Sequence, residues 1–559
     1  MNRVDGGAAR RIAEALGASD DHDLARLFAA RRISPASAPA STWRDFFDAA
    51  ESLLQPEAIA AAVAGLPRAE LAALTHGDPI RLLGLTDAEG RAIAPVAAAI
   101  GDAEIDAAPA QDPRPASDDA AARAAERAFT TVTAIGDIAI GALTAPLARV
   151  GTGALAAGDR RRLVDEQIVR EGEADLVVRL AVVTGVLRSE GRAIGTTPDG
   201  SAWVQLSTPE RWARLAGSLR DALPAGLRDG AGWIDPALWA GAYPLDPAWP
   251  AAAAEWTALA DLLGLIASDG EPAWAEPLRR GDAPDPALLA ALLPSEVDRL
   301  YLQNDLSAIS PGPLAPALDV RLRTMAVRES HAQASTYRFT EASLAAAVGR
   351  GETAESMREF LTGLSLSGLP QPLGYLIDRV ADRYGLVRVG TDPALGHTIV
   401  TSPAPDVLRT LAVDQALSSL GLVRDGEVLR SRASRDAVYW ALSDARYPVV
   451  AVDDEGSART LERGRIVEAQ DEHSYDELIA RLRAGQGPDA DAAWLERELD
   501  AAVRERATIV VEVAMPDGSV RELRLEATGM GGGRMRGLDA AADVERTLPV
   551  SLIRSMRRL

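Results

Sequence analysis

YLQNDLSAISPGPLAPALDVRLRTM, residues 301–325, is the stretch on which the reading of this chain turns. Residues 299–303 and 306–309 read as two short strands, and Gly312-Pro313 reads as a turn. A helix over 314–325 follows, then a strand at Tyr337-Arg338-Phe339, then Thr340, whose hydroxyl suits the N-cap of a helix over 341–348. Leu373, Leu376, Ile377, Val380 and Tyr384 fall at i, i+3, i+4, i+7 and i+11, the period of one helix face. Gly385 is placed to end that helix before a strand at 386–389. Two further βα-type pieces lie around 397–400 and 427–429, so a mixed α/β module over 296–460 is expected.

Upstream the texture is helical. Residues 1–105 read as short amphipathic helices broken by Pro and Gly, for example 57–66 stopped by Pro67 and 68–74 stopped at His76-Gly77-Asp78. Residues 106–122 (DAAPAQDPRPASDDAAA) read as a linker. Over 123–219 three helices precede a short hairpin turning at Gly191, the order of a winged helix, and 220–295 is helical again with Trp233, Trp239, Trp249, Trp256 and Trp274 as core anchors. Downstream, 461–491 is a linker with one helix. Residues 492–559 give a helix and then alternating strands about Pro516-Asp517-Gly518 and Gly531-Gly532-Gly533, expected to close as a small antiparallel β-barrel. The whole is a multidomain α+β chain.

Composition removes whole classes of chemistry. The 559 residues, 47% hydrophobic and 25% charged, suit about three or four globular domains rather than a disordered chain. There is no Cys, which excludes thiol nucleophiles, disulfides and thiolate metal sites. No lysine occurs, so all 59 basic residues are Arg and neither a Walker A lysine nor a Schiff-base lysine is present. Against 81 acids the formal net charge is −22, and residues 1–130 hold 13 Arg against 20 acids, a balance that repels nucleic acid locally. Residues 1–21 lack the apolar run of a signal peptide, and the most apolar stretch, 131–150, is interrupted by Asp137 and Pro146. A cytoplasmic location is expected, on the nucleoid where DNA is the partner.

The run from YLQNDLSAISPGPLAPALDVRLR through STYRFTEASL to GLPQPLGYLIDRVADRYGLVRV, about 90 residues in unbroken order, resembles the N-terminal domain of XPB-type DNA repair helicases. It is more similar still to bacterial, actinobacterial-type helicase-associated proteins that carry this domain without motor domains. The segment TPDGSAWVQLSTPERWARLA at 197–216 looks like the winged-helix region those proteins place before it. The C-terminus, from VEVAMPDGSV onward, resembles a WYL domain, an Sm-like barrel. It departs from that pattern where the Trp-Tyr-Leu triplet reads Arg534-Met535-Arg536 and the late Arg-Ile pair reads Leu552-Ile553. These resemblances imply DNA as a partner, with a helicase or another repair or transcription protein as a second. They imply no cofactor and no membrane.

Candidate nucleic-acid contacts are Arg534, Arg536, Arg546, Arg554, Arg557 and Arg558, set against Asp539, Asp543 and Glu545 in the last 30 residues, and Arg321, Arg323 and Arg328. The guanidinium fork matches phosphate oxygens. The helix after Gly172 begins among Glu171, Glu173 and Asp175, which disfavours groove reading and favours a protein contact. Gly151-Thr152-Gly153-Ala154-Leu155-Ala156 fits G-x-G-x-x-A without the βα setting that a dinucleotide site needs, and reads as a loop. Asp20-Asp21-His22-Asp23 reads as a helix start. The five His are dispersed, and Ser365 and Ser367 miss the G-x-S-x-G spacing. No catalytic or metal-binding set emerges. The expected function is a non-catalytic, helicase-associated DNA-binding or adaptor protein in repair or transcription-linked processes. The alternatives are a WYL-type ligand-sensing transcriptional regulator and, last, a helicase or ATPase.

Overall fold

The computed structural model describes residues 6–107, 112–151, 153–329, 335–392, 396–445, 447–453, 456, 458–459, 474–486, 490–515, 518–539 and 542–558. The chain is mixed α/β, about 49% helix and 18% strand. It divides into two compact units, each gathered from separated segments: 1–111 with 237–253 and 470–559, and 112–236 with 254–469. Among the described residues no single helix is long and apolar enough to cross a membrane.

In the first unit the helices Gly6–Ala18, Asp21–Ala30, Phe46–Leu53 and Pro56–Ala64 close on Leu16, Leu24, Phe28, Phe46, Phe47 and Leu53. Asp20 caps the second of these, accepting from the Asp23 amide at 2.8 Å, as expected of a helix start. Leu478, Ile479 and Leu482 of the helix Asp476–Gly485 and Trp494 of the helix Ala490–Glu505 enter the same core. Asp45 fixes this join. Its carboxylate caps Phe46–Leu53 through the Phe47 and Asp48 amides at 3.1 Å, and it accepts from Arg497 and from Trp494 Nε1.

The C-terminal strands run in the order Val544–Pro549, Arg534–Asp539, Val520–Gly531, Thr508–Ala514, Ile553–Arg558, all antiparallel. Leu495, Leu499 and Ala502 of Ala490–Glu505 pack on their inner face against Ile509, Val511 and Leu525. The sheet is open. The 3₁₀ turn Val550–Leu552 carries the chain from one edge strand to the other, and among the described residues no ladder joins those edges, so the closed Sm-like barrel gives way to a five-stranded open sheet.

The second unit opens with the long helix Asp118–Thr144, capped by Ser117, followed by the strand Leu147–Ala148 and the helices Ala157–Asp165 and Ala174–Val183. The hairpin Leu187–Glu190 and Ala193–Thr196 turns at Gly191, whose φ of 56° suits glycine. Leu147–Ala148 adds to it as a third antiparallel strand. Thr196, fully buried, donates to the Ala139 carbonyl at 2.7 Å and fastens the sheet to the long helix. Trp203, Trp212, Trp233 and Trp274 are buried here, and Trp239 and Trp249 are buried in the first unit.

The stretch 296–460 holds two hydrophobic cores. One lies between a four-stranded sheet, ordered Tyr301–Leu302, Ser307–Ser310, Ser335–Arg338, Val327–Arg328, and the helices Pro316–Met325, Glu341–Gly349, Ala354–Leu364 and Gln371–Arg383. Thr340 caps Glu341–Gly349 by accepting from Ser343 N at 3.0 Å, and Gly385 takes φ 79° after the last helix. The other core, from Val387 to Ala451, lies under a six-stranded sheet in which Val387–Thr391 and Val449–Val452 run parallel.

Burial pushes the Asp45 carboxyl up, but the hydrogen bonds from Arg497 and the Asp48 amide outweigh it and hold it below its ordinary value of 3.8. A carboxylate depressed on folding adds stability that is complete above its unfolded value and is lost as pH falls through its folded one. Asp45→Asn is therefore expected to flatten the loss of stability below about pH 4 in urea titrations. Asp45→Ala is expected to lose about 1–2 kcal/mol at neutral pH, the cost of a missing cap.

Candidate nucleic-acid interface

The exposed face of the C-terminal sheet carries Arg534 and Arg536, two residues apart on one strand and both open to solvent. Their neighbours across the ladders are Gly531 and Gly529 on one side and Pro549 and Thr547 on the other. None of these is acidic, and glycine beside arginine lets a ligand backbone approach closely. The positive φ of Gly532 (59°) and Gly533 (70°) makes the turn that brings these two strands together.

The other tail arginines are elsewhere. Arg546 lies on the inner face and gives Nε to Asp539 at 2.8 Å, where only 11% of the Asp539 side chain is exposed. Arg557 shares its face with Arg524, both opposite Val510, and sits 3.6 Å from Glu522. Arg554 is exposed at the irregular register between Ile553 and Ser555. The Arg558 side chain lies outside the described residues. Among the described residues the pleat therefore leaves one pair of these tail arginines with no acid directly across either ladder, Arg534 and Arg536. Period-two alternation sends alternate residues to opposite faces, which a count of charges along the tail does not register.

The second group divides in the same way. Arg321 is exposed, gives Nε and Nη2 to Glu352 at 3.0 and 3.1 Å, and stacks 4.4 Å from the Phe360 ring. Its hydrogen bond holds the Glu352 carboxyl below the ordinary value. Arg323 and Arg328 turn inward instead. Both give Nη1 to Asp137 of the long helix, Arg328 at 3.1 Å, with Asp137 only 5% exposed. Asp319 stands 3.6 Å from Arg323 and accepts from the Tyr337 hydroxyl at 2.6 Å. Burial drives the Arg323 pKa down, but Asp137 and Asp319 outweigh it and hold the group above its ordinary value. Burial and the neighbouring Asp319 push the Tyr337 hydroxyl up. Arg211, on the helix Thr208–Ala222, faces the same cluster, is pushed down to about 10 by burial, and lies 5.2 Å over the Trp203 ring.

Asp137 is the residue that reading by motif passes over. Its signal was a lone carboxylate breaking an apolar helical run, and such a group when buried needs a cationic partner. Those partners lie 186 and 191 residues away in sequence. The helix after Gly172 also spends its charges internally. Asp175 accepts from Leu155 N at 2.9 Å and from Arg160 Nε at 2.7 Å, and Arg179 gives Nε to Glu255 at 3.0 Å.

Asp137→Ala would take from two buried guanidinium groups the carboxylate they share, and breaking a buried ion pair typically costs about 3–5 kcal/mol. Arg321→Ala, losing one partly exposed pair, is expected to cost about 1 kcal/mol or less. Equilibrium urea unfolding of the two variants measures the contrast.

Among the described residues the inner face of the C-terminal sheet holds a cleft of about 330 Å³ lined by Arg521, Leu523, Val544, Arg546, Leu548 and neighbours. No curated protein matches the chain. Residues 300–425 match a helicase conserved C-terminal domain, spanning the first core of the α/β region and half of the second, and this supports a helicase-associated protein.

Proposed function

We propose that this protein is a non-catalytic, helicase-associated adaptor that contacts DNA through its arginines and meets a helicase or another repair or transcription protein through its folded modules. The observation that carries the reading is the helicase-type segment at 300–425 in a chain without a single lysine. A P-loop needs that lysine on the β- and γ-phosphates, so the segment is read as retained for association rather than for ATP hydrolysis. The long helix, the two helices after it and the three-stranded sheet are read as a winged helix. Its would-be reading helix already uses Asp175 and Arg179 in internal ion pairs, which favours a protein contact there. The 300–380 core is read as the XPB-like domain, and the open C-terminal sheet as a degenerate relative of WYL domains with Arg534 and Arg536 on its outer face.

Fluorescence anisotropy of the full chain with single-stranded, duplex and forked DNA tests this. Counterion release makes the slope of log affinity against log salt about 0.9 per duplex phosphate contacted. The Arg534→Ala/Arg536→Ala double variant is expected to flatten the slope by close to two contacts, while Arg546→Ala leaves it unchanged because Arg546 serves Asp539. Absence of binding at low salt, or ATP turnover by the pure chain that survives contaminant controls, overturns the proposal.

A second reading is favoured by one feature, the cleft on the inner face of the C-terminal sheet, which has Arg521 and Arg546 at its wall. A ligand-sensing regulator would bind a nucleotide-like anion there. Its melting midpoint would then climb with ligand concentration above the Kd.

A further inference from the structure

The open C-terminal sheet leaves one long edge without a neighbour. The strand Val544–Pro549 pairs with Arg534–Asp539 on one side, and among the described residues no ladder lies on its other side. Hydrogen-bonded and non-bonded pairs alternate along an antiparallel ladder. The Val550 amide donates to the Gly533 carbonyl at 2.9 Å, and the register that continues from this pair makes Leu548, Arg546 and Val544 the residues whose backbone faces Arg534–Asp539. The N–H and C=O groups of Glu545 and Thr547 therefore point to the open side, where water or a further strand must satisfy them. No residue of this strand is buried, and Val544 is 50% exposed.

Beside this edge, on the inner face, lies the cleft of about 330 Å³, with Val513, Leu523, Val544 and Leu548 as apolar walls and Arg521 and Arg546 as charged ones. Arg546 is already held by Asp539, and Glu545 turns to the outer face and accepts from the Thr528 hydroxyl at 3.2 Å. Arg521 differs. It stands opposite Val513, is exposed, and makes no hydrogen bond or ion pair among the described residues. The cleft thus combines apolar surface, an unanswered positive charge and a rim of unpaired backbone groups. An extended chain matches all three, because alternate side chains of a strand turn to one face while its amides and carbonyls lie in the plane of the sheet.

We propose that residues 544–548 form a strand acceptor, to which an extended segment of a partner protein adds by backbone pairing, with apolar side chains in the cleft and an acidic one on Arg521. This rests on the adaptor reading above and deepens it by giving the protein contact a place and a chemistry, on the face opposite Arg534 and Arg536. A second copy of the same strand is a poor occupant. Antiparallel self-pairing centred on Arg546 sets Arg546 against Arg546, and centred on Glu545 it sets Glu545 against Glu545, like charges that repel across a ladder. Centred on Thr547 it opposes Glu545 to Pro549, which has no N–H to give.

The probe is a capped, fluorescein-labelled peptide of seven residues in which threonines alternate with valine, glutamate and valine, titrated with the full chain and read by anisotropy. Saturable binding is expected, weakened about tenfold or more when lysine replaces the glutamate. Arg521→Glu should reverse that preference, binding the lysine peptide better than the glutamate one. The same glutamate peptide N-methylated at its threonine amides, which would face Glu545 and Thr547, should lose binding without any change to the protein. Thr547→Pro, which removes an outward N–H and keeps the ladder to Arg534–Asp539, should lose it too. No saturable binding by the parent chain up to about 1 mM peptide overturns the acceptor, as does equal binding of the N-methylated peptide, which would make the cleft a pocket for side chains alone. A parent dimer in sedimentation that Thr547→Pro dissolves also overturns it, in favour of a second copy. Each of these leaves the adaptor reading to its own DNA titration, and peptide binding by a chain that fails to bind DNA keeps the acceptor while that reading loses its DNA contact.

Discussion

A buried carboxylate governs the second unit. Asp137 sits on the apolar face of a 27-residue helix at 5% exposure, and removing such a charge from water costs several kcal/mol unless cations and hydrogen-bond donors replace the solvent. Arg323 and Arg328 supply those donors from the helix Pro316–Met325 and the edge strand Val327–Arg328. An arrangement that withdrew both guanidinium groups would leave Asp137 buried without its two cations, at a cost of several kcal/mol. The four-stranded sheet is thereby tied to the hairpin module, with Arg211 filling the space beside Gly136, where a Cβ would stand 3.0 Å from its Nη1. A second tie runs from Glu296, which accepts from the Thr208 amide at 2.7 Å at the start of the neighbouring helix.

What the sequence made legible follows from local rules. Thr340 as a cap, Gly77 and Gly385 as helix ends, the Gly191 turn and the Leu373 to Val380 face all depend on residues a few positions apart, and all stand where periodicity and capping chemistry put them. Long-range facts were not legible. The partners of Asp137, the entry of Trp494 into the core of the first helices, and the openness of the C-terminal sheet depend on which surfaces meet, and no local pattern encodes that. The division of 296–460 into two cores was half visible, since Gly385 marks the break between Val380 and Val387, yet a glycine cap looks the same inside one domain as between two cores.

The candidate site shows the same limit from the side of charge. Counting arginines along the tail finds an excess of positive charge, but the pleat sorts them by parity, and Glu522, Glu526 and Glu545 alternate with Arg524 and Arg557 over much of the outer face. Only where glycines replace the acids does a pair remain unopposed. Two placements of arginine in this chain stand in contrast. Arg323, Arg328 and Arg497 neutralise buried or half-buried carboxylates inside the fold, while Arg534 and Arg536 stand exposed on the strand that follows the turn at Gly532 and Gly533.

That second placement is what would let so acidic a chain meet the anionic partner proposed for it. At physiological ionic strength the screening length is about 8 Å, so a phosphate in contact with a guanidinium responds to charges within one or two side chains of it and only faintly to the rest of the −22. What matters is whether an acid stands beside the arginine, and strand register decides that. A glycine next to the arginine serves twice, since it contributes no competing carboxylate and lets another backbone come near. A strand that carries paired arginines beside glycines is thus a place where an acidic protein could hold a phosphate backbone without first rearranging its own ion pairs.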